Sequence, residues 1–323
     1  MDLLITGGTG SLGTALLDAL TGRLRSTHPY TRIIVYSRDE VKQSQLAASY
    51  SDDRLRWFLG DVRDEARLTQ AFKGVTAVIH AAALKRVDKV AYDPEEVLKT
   101  NVLGTANVLR AAVATKVERV LLVSSDKAVA ATNVYGSTKM LAECLTIASN
   151  VYAYPQGSIF ATVRYWNVLG SRGSVLQLWR HLLASGSPLP ITSPRCTRFW
   201  LTLDHAVDFV LRALQEARGG EIFVPKLKAA KLTDLAQALA PDYPTEVIGL
   251  RLGGEKLHEQ LLNDDELART LDIGWAYVVE PALNYWGSKP WKGTRVPKDR
   301  PYQSNKVGWY TVEEIRELLT SVP

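Results

Sequence analysis

The sequence predicts an α/β protein built on a doubly wound parallel sheet with a smaller, largely C-terminal lobe. Three observations carry this. Short apolar runs without alternation, such as RVLLV at 119–123, alternate five times with segments of helical periodicity, the pattern of strands covered on both faces. A glycine-rich turn follows the first run at Gly7, and the chain's 323 residues exceed the usual size of one domain.

Composition narrows the classes. The apolar runs stay far short of a membrane span, and the chain opens on a strand without a basic leader, so a cytoplasmic location is the default and no membrane is expected. Cys144 and Cys196, the only cysteines, build neither a zinc site nor a disulfide framework, and no metal is expected. The net charge of +5 is modest; its densest stretch, 289–306, holds Lys292, Arg295, Lys298 and Arg300 and reads as a solvated arm, since no nucleic-acid motif accompanies it.

Taken in order, the first strand, Asp2–Thr6, runs into GGTGSLG. Gly7, Gly10 and Gly13 let the backbone turn and approach a pyrophosphate, with Thr9, Ser11 and Leu12 between them at the start of a helix whose N-terminus favours an anion. The second strand, 32–38, ends in Ser37 and Arg38 where an acidic residue would take the ribose 2′-hydroxyl of NAD; Arg38 suits a 2′-phosphate, so NADP is expected in preference to NAD, although Asp39 is close. A third strand, Leu55–Leu59, leads to Asp61, placed for the adenine amino group, and Val62. A fourth, 76–80, leads to Ala81, Ala82 and Ala83, small enough for a cofactor to lie close, with Lys85 aimed at a sugar or phosphate and His80 a satisfied strand-end residue. A helix over 94–115 carries Asn101, whose poor helical propensity points to a buried hydrogen bond with the neighbouring strand.

The fifth strand delivers Ser125, Asp126 and Lys127 to the sheet end where such folds place their chemistry. Tyr135 and Lys139 follow at a spacing of four on a helix, hence on one face, where a cation would help a phenol accept a proton. A sixth strand, Ile159–Tyr165, ends in WNVLGSRGSV, a loop with Asn167, Arg172 and Ser174 that opens a helix at Val175. It suits a diphosphate or uracil, and equally a plain loop. A strand and helix at 190–214 and shorter elements beyond 220 complete the chain. The domain division expected is 1–165 with 197–218 for the dinucleotide, and 166–196 with 219–323 for the substrate.

Over nearly its whole length the chain resembles one family. LLITGGTGSLG, IIVYSRDE, GDVRD, HAAALKRV, KTNVLGT, SSDKA, NVYGSTK, NVLGSRGSV, TRFWLTLD, GEIFVPK and GEKLHE together are similar to the UDP-N-acetylglucosamine 4,6-dehydratases of the extended short-chain dehydrogenase/reductase superfamily, above all the C5-inverting type that starts pseudaminic acid synthesis. The resemblance implies a Rossmann-like fold, a UDP-sugar substrate, a homo-oligomer, Tyr135 and Lys139 as the redox pair, and Thr197, Arg198, Arg251 and Glu255 near the nucleotide sugar. It also implies Asp126 and Lys127 as acid and base: oxidation at C4 acidifies the C5 proton, a neutral Lys127 takes it, Asp126 protonates the departing 6-hydroxyl, and reduction at C6 follows. A C5-retaining dehydratase, a nucleotide-sugar 4-epimerase or reductase, and a noncatalytic NADP sensor are the rival classes. The chain departs from the family at Trp166, where glycine is usual, and at RLGGEK, which carries one added residue; both positions are expected to touch substrate.

Overall fold

The computed structural model describes all residues except 29, 87–90, 252, 300, 321 and 323, so Leu252 of RLGGEK and Arg300 of the basic stretch lie outside the described residues. In chain order the strands are β1 (Asp2–Thr6), β2 (Arg32–Ser37), β3 (Leu55–Leu59), β4 (Ala77–His80), β5 (Arg119–Ser125), β6 (Ile159–Tyr165), β7 (Asn167–Val168), β8 (Leu189–Ile191), β9 (Thr197–Leu201), β10 (Ile222–Pro225), β11 (Ala229–Lys231), β12 (Thr245–Val247), β13 (Thr270–Asp272), β14 (Ala276–Val279) and β15 (Thr294–Arg295). The helices are α1 (Ser11–Thr21), α2 (Glu40–Ala47), α3 (Glu65–Ala71), α4 (Pro94–Leu98), α5 (Gly104–Thr115), α6 (Val134–Tyr152), α7 (Val175–Ala184), α8 (Leu203–Glu216), α9 (Leu232–Leu239), α10 (Asp264–Leu267) and α11 (Val312–Thr320).

Ten strands form the main sheet in the order β15-β13-β14-β10-β6-β5-β4-β1-β2-β3. From β10 to β3 neighbouring strands are parallel, whereas β14, β13 and β15 add an antiparallel extension that the sequence reading did not anticipate. The missing polar alternation has a direct cause. Leu3, Ile5, Ile33 and Val35 enter one core, while Leu4, Ile34 and Tyr36 enter a second core on the other face. The order reverses beside β1, and the crevice at the carboxyl ends of the strands there is where such sheets receive ligands.

A third core, with Trp179, Leu189, Ile191, Cys196, Trp200, Leu235 and Ile315, belongs to the smaller lobe. The division drawn at 219 does not follow these cores: β10, β13, β14 and β15 extend the main sheet, and β9 pairs with β7 and β11 in a separate three-stranded sheet. Strands of two to four residues hold too little periodicity to show which sheet they join. Among the described residues no helix is long and apolar enough to cross a membrane.

Candidate active site

The crevice is a cleft of about 890 Å³ between the main sheet and the lobe. The glycine-rich turn forms its floor. Gly7, at φ +67°, donates its N–H to the Tyr36 carbonyl at 2.9 Å, and a Cβ there would meet the Ala82 backbone at 2.8 Å. Gly13 lets α1 lie directly against Gly8. Gly10 caps α1 with no side-chain hydrogen bond, so the helix presents its first N–H groups among Thr9, Ser11 and Leu12, all of which line the cleft. This uncapped N-terminus, facing the small wall of Ala81, Ala82 and Ala83, fits the pyrophosphate of a dinucleotide.

At the outer end stand Ser37, Arg38, Asp61 and Val62. The Asp61 carboxylate accepts from Arg63 at 2.9–3.1 Å and lies 3.7 Å from Arg38; burial opposes its ionisation, but Arg63 prevails and holds the carboxyl below its ordinary range. Asp39, which blurred the NADP signal, caps α2 by accepting from the Lys42 N–H and pairs with the Lys42 ammonium at 2.7 Å. Lys42 lines the cleft and was missed because only the first turn of α2 brings it back beside Arg38.

The inner end is built by β5 and α6. Asn133 caps α6, accepting from the Gly136 N–H at 2.8 Å, and sets Tyr135 and Lys139 a turn apart on the cleft side. The partners differ from those expected. Lys139 donates to the Val123 carbonyl at 2.6 Å, and burial lowers its affinity for a proton to about 8 against the opposing pull of Glu143. Burial raises the Tyr135 phenol, and the charge that draws it back down is that of Lys127, together with a hydrogen bond from Ser125.

Asp126 is fully buried; its Oδ1 accepts from Ser125 Oγ at 2.7 Å and from Lys127 Nζ at 3.0 Å. Burial alone would lower the Lys127 pKa, but Asp126 and Glu259 outweigh that effect and raise it above the ordinary lysine value, which favours the ammonium at rest. Glu259, from the GEKLHE segment, approaches Lys127 to 3.5 Å. It was overlooked because nothing local to that segment marks it as part of the cleft.

Of the residues assigned from the sequence to catalysis, cofactor or substrate, all but Thr197 line the cleft. Thr197 is buried, bonded to His258 at 2.8 Å and Ser304 at 2.7 Å. Alternation along β9 sends Arg198 and Trp200 to the cleft and Thr197 away from it. Arg198 and Arg251 both bind Glu255, at 2.8 and 2.9 Å, and hold its carboxyl low despite burial. Lys85 faces the cleft, its pKa lowered by burial and then by the charge of Arg172. Arg172 reaches the glycine-rich turn, donating through its backbone N–H to Ser11 Oγ at 3.0 Å and through its guanidinium to the Thr9 carbonyl. Ser174 Oγ, at the start of α7 beside Val175, and Asn167 Nδ2, on β7, are buried without hydrogen-bond partners, and both residues line the cleft.

Three further expectations are refined. His80 is bonded on both ring nitrogens, to Thr6 and Thr105, and burial lowers its pKa to about 3. Asn101 lies in a π-helical turn, Lys99–Leu103, and clamps Leu84 and Thr138 rather than the adjacent strand. Trp166 packs edge-on to Tyr165 and Phe209 with 5% of its surface exposed, so it is mainly a core residue at the cleft wall. Among the described residues no group of three or more His, Cys, Asp or Glu is placed to hold a metal ion.

Comparison with known proteins agrees with this geometry. The model of the polysaccharide biosynthesis protein family matches residues 3–281. The chain is 41% identical to a UDP-N-acetylglucosamine 4,6-dehydratase (inverting) of Campylobacter jejuni subsp. jejuni serotype O:2, over 95% of this chain and 88% of the relative. It is 37% identical to a UDP-glucose 4-epimerase of Rickettsia typhi, over 99% and 95%. Its fold matches DesIV, a dTDP-glucose 4,6-dehydratase of Streptomyces venezuelae solved with NAD and TYD bound, with a TM-score of 0.71, 25% identity and coverage of 79% and 86%. The chain belongs to the polysaccharide biosynthesis protein family and, within it, groups with the inverting UDP-N-acetylglucosamine 4,6-dehydratases.

Proposed function

We infer that the protein is a nucleotide-sugar 4,6-dehydratase that acts on UDP-N-acetylglucosamine with inversion at C5, forming a UDP-4-keto-6-deoxy-N-acetylhexosamine. The observation that carries this is the joining of Asp126, Lys127 and Tyr135 around Ser125 at the inner end of a dinucleotide-shaped cleft. A nicotinamide dinucleotide, when bound, supplies the oxidising power at C4 and the reducing power at C6. Tyr135, once ionised, takes the 4-hydroxyl proton at its phenolate oxygen, the adjacent Lys127 charge opposing the burial that disfavours that form. The C4 ketone acidifies the C5 proton, which passes to Lys127 Nζ once that group has lost its own proton. Asp126 takes up the proton that Lys127 gives up and delivers it to the departing 6-hydroxyl. Inversion means that the proton returned to C5 arrives on the opposite face.

Arg198, Arg251 and Glu255 serve the nucleotide sugar from the lobe, and Arg172, Asn167 and Ser174 serve its diphosphate from the loop before α7. We read the cofactor as NADP, because Arg38 and Lys42 both line the outer end while the Asp39 carboxylate is engaged as a helix cap.

The 4-epimerase reading draws on the Rickettsia relative, but epimerisation needs no acid and base for C5 and C6, and the Asp126–Lys127 pair favours dehydration. Incubation with UDP-N-acetylglucosamine in deuterated water, followed by NMR and mass spectrometry, decides the matter. Loss of water with deuterium at C5 is expected, and the C5 coupling reports inversion. A C4 epimer without loss of water refutes the dehydratase.

A further inference from the structure

Lys127 stands between two buried carboxylates. Its Nζ is 3.0 Å from Asp126 Oδ1 and 3.5 Å from Glu259 Oε1, and these acids are 0% and 3% exposed. Each keeps one oxygen, Asp126 Oδ2 and Glu259 Oε2, without a hydrogen-bond partner. A lone countercharge would serve an ordinary ion pair; a second one, brought from a distant stretch of the chain, places one ammonium between two carboxylates.

The second acid is held deliberately. The Glu259 N–H donates to Ser304 Oγ at 2.9 Å, the Ser304 N–H donates to the Glu259 carbonyl at 2.8 Å, and Ser304 Oγ donates to the Thr197 carbonyl at 3.1 Å. This gives the buried Thr197 and Ser304 a structural role: they fix the backbone that carries Glu259 to the cleft. The charged and titratable groups facing Lys127 are Asp126 from its own turn, Tyr135 from α6, Arg198 from β9, and Lys256 and Glu259 from the GEKLHE segment. Arg198 is already neutralised by Glu255, and the Lys256 ammonium donates to the Val129 carbonyl. Glu259 is therefore the countercharge outside its own turn that bears directly on Lys127.

We propose that Glu259 is a positioning residue that keeps Lys127 as an ammonium in the resting enzyme, so that Lys127 turns base only by handing its proton to Asp126, the closer carboxylate at 3.0 Å. The inference rests on the reading of Lys127 as the group that acts at C5. In that step one N–H bond breaks at Nζ and one O–H bond forms on the Asp126 carboxylate, which carries the proton on to the departing 6-hydroxyl; no electrons leave the pair.

The test reads the charge of Lys127 without cofactor or substrate. Acetic anhydride acylates only the neutral amine, so labelling of Lys127 followed by peptide mass spectrometry from about pH 8 to about pH 12 gives the pH at which the amine appears. In wild type, half-labelling of Lys127 is expected at higher pH than for the exposed Lys73 and Lys116. In Glu259→Gln it should move down by at least about one pH unit, with labelling about tenfold faster at a fixed pH. Identical pH dependence in wild type and variant overturns the proposal. So does a wild-type Lys127 that titrates like the exposed lysines, a result that needs no variant to fold. In the turning-over enzyme, the pH limb for C5 deuterium incorporation should shift the same way, whereas a merely structural loss lowers the plateau and leaves the limb in place. If wild type fails to dehydrate the UDP-sugar, the proposed function falls while labelling still decides the role of Glu259.

Discussion

Arg38 shows how far a single residue can be read. Its place after a strand pointed to a phosphate-bearing ribose, and it lines the cleft, 3.7 Å from Asp61. Arg38→Ala is expected to weaken NADP binding about tenfold or more while leaving NAD within about threefold, as loss of a charge-assisted phosphate contact implies. Titration of both cofactors by intrinsic fluorescence measures this, and equal losses would remove the preference. Lys42 was not legible because it belongs to this site only through the turn of α2 that Asp39 caps. The Asp126–Lys127 pair was visible as adjacent letters. The charge state of Lys127 was not, because it depends on Glu259, far along the chain and brought near only by the fold.

At the scale of elements, the start of α6 is braced by the loop that carries the added glycine. Gly253 and Gly254 both take positive φ, +98° and +86°, and the Gly254 carbonyl accepts from Thr132 Oγ1 at 2.7 Å, next to the cap residue Asn133. A Cβ on Gly254 would collide with the Thr132 carbonyl. Gly254→Ala should therefore push the loop off the helix start that presents Tyr135, lowering kcat about tenfold or more and raising KM for the UDP-sugar, with the unfolding midpoint nearly unchanged. Steady-state kinetics beside a thermal melt check this; unaltered kinetics would show that the brace is dispensable. The loop with the added residue thus braces the helix start as well as lining the cleft. The strands β1, β2 and β5 were legible because both their faces are largely apolar, β6 through its run from Ile159 to Val163 although Thr162 and Arg164 share a face with Phe160, and the helix 94–115 because of its period. The π turn at Lys99–Leu103 left no mark, since its extra residue disturbs the phase of the apolar positions too little to be distinguished from scatter.

At the scale of the molecule, one buried ion cluster joins the parts. Arg164 of β6 binds Glu143 of α6 and Glu266 of α10, each at 2.7 Å, and donates to the Leu261 carbonyl at 3.1 Å. The sheet, the helix of Tyr135 and Lys139 and the segment after GEKLHE are tied at a single guanidinium. Removing one member strands the remaining charges in the interior, so Arg164→Ala should cost about 3–5 kcal/mol. Urea unfolding monitored by circular dichroism measures the loss, and a change below about 1 kcal/mol would mean that water reaches the cluster.

The two ends of the main sheet bear on how copies of the chain can meet. An edge strand invites another strand when its backbone groups are free. On β3 the outward carbonyls of Leu55 and Leu59 already accept from Arg56 and Arg67, and the Arg67 guanidinium lies over the Phe58 ring at 4.0 Å. The opposite edge is β15, two residues long, with Arg295 paired to Glu280 at 2.8 Å. Neither edge offers a long, vacant template, so pairing of main sheets edge to edge into a continuous ribbon is discouraged at both ends.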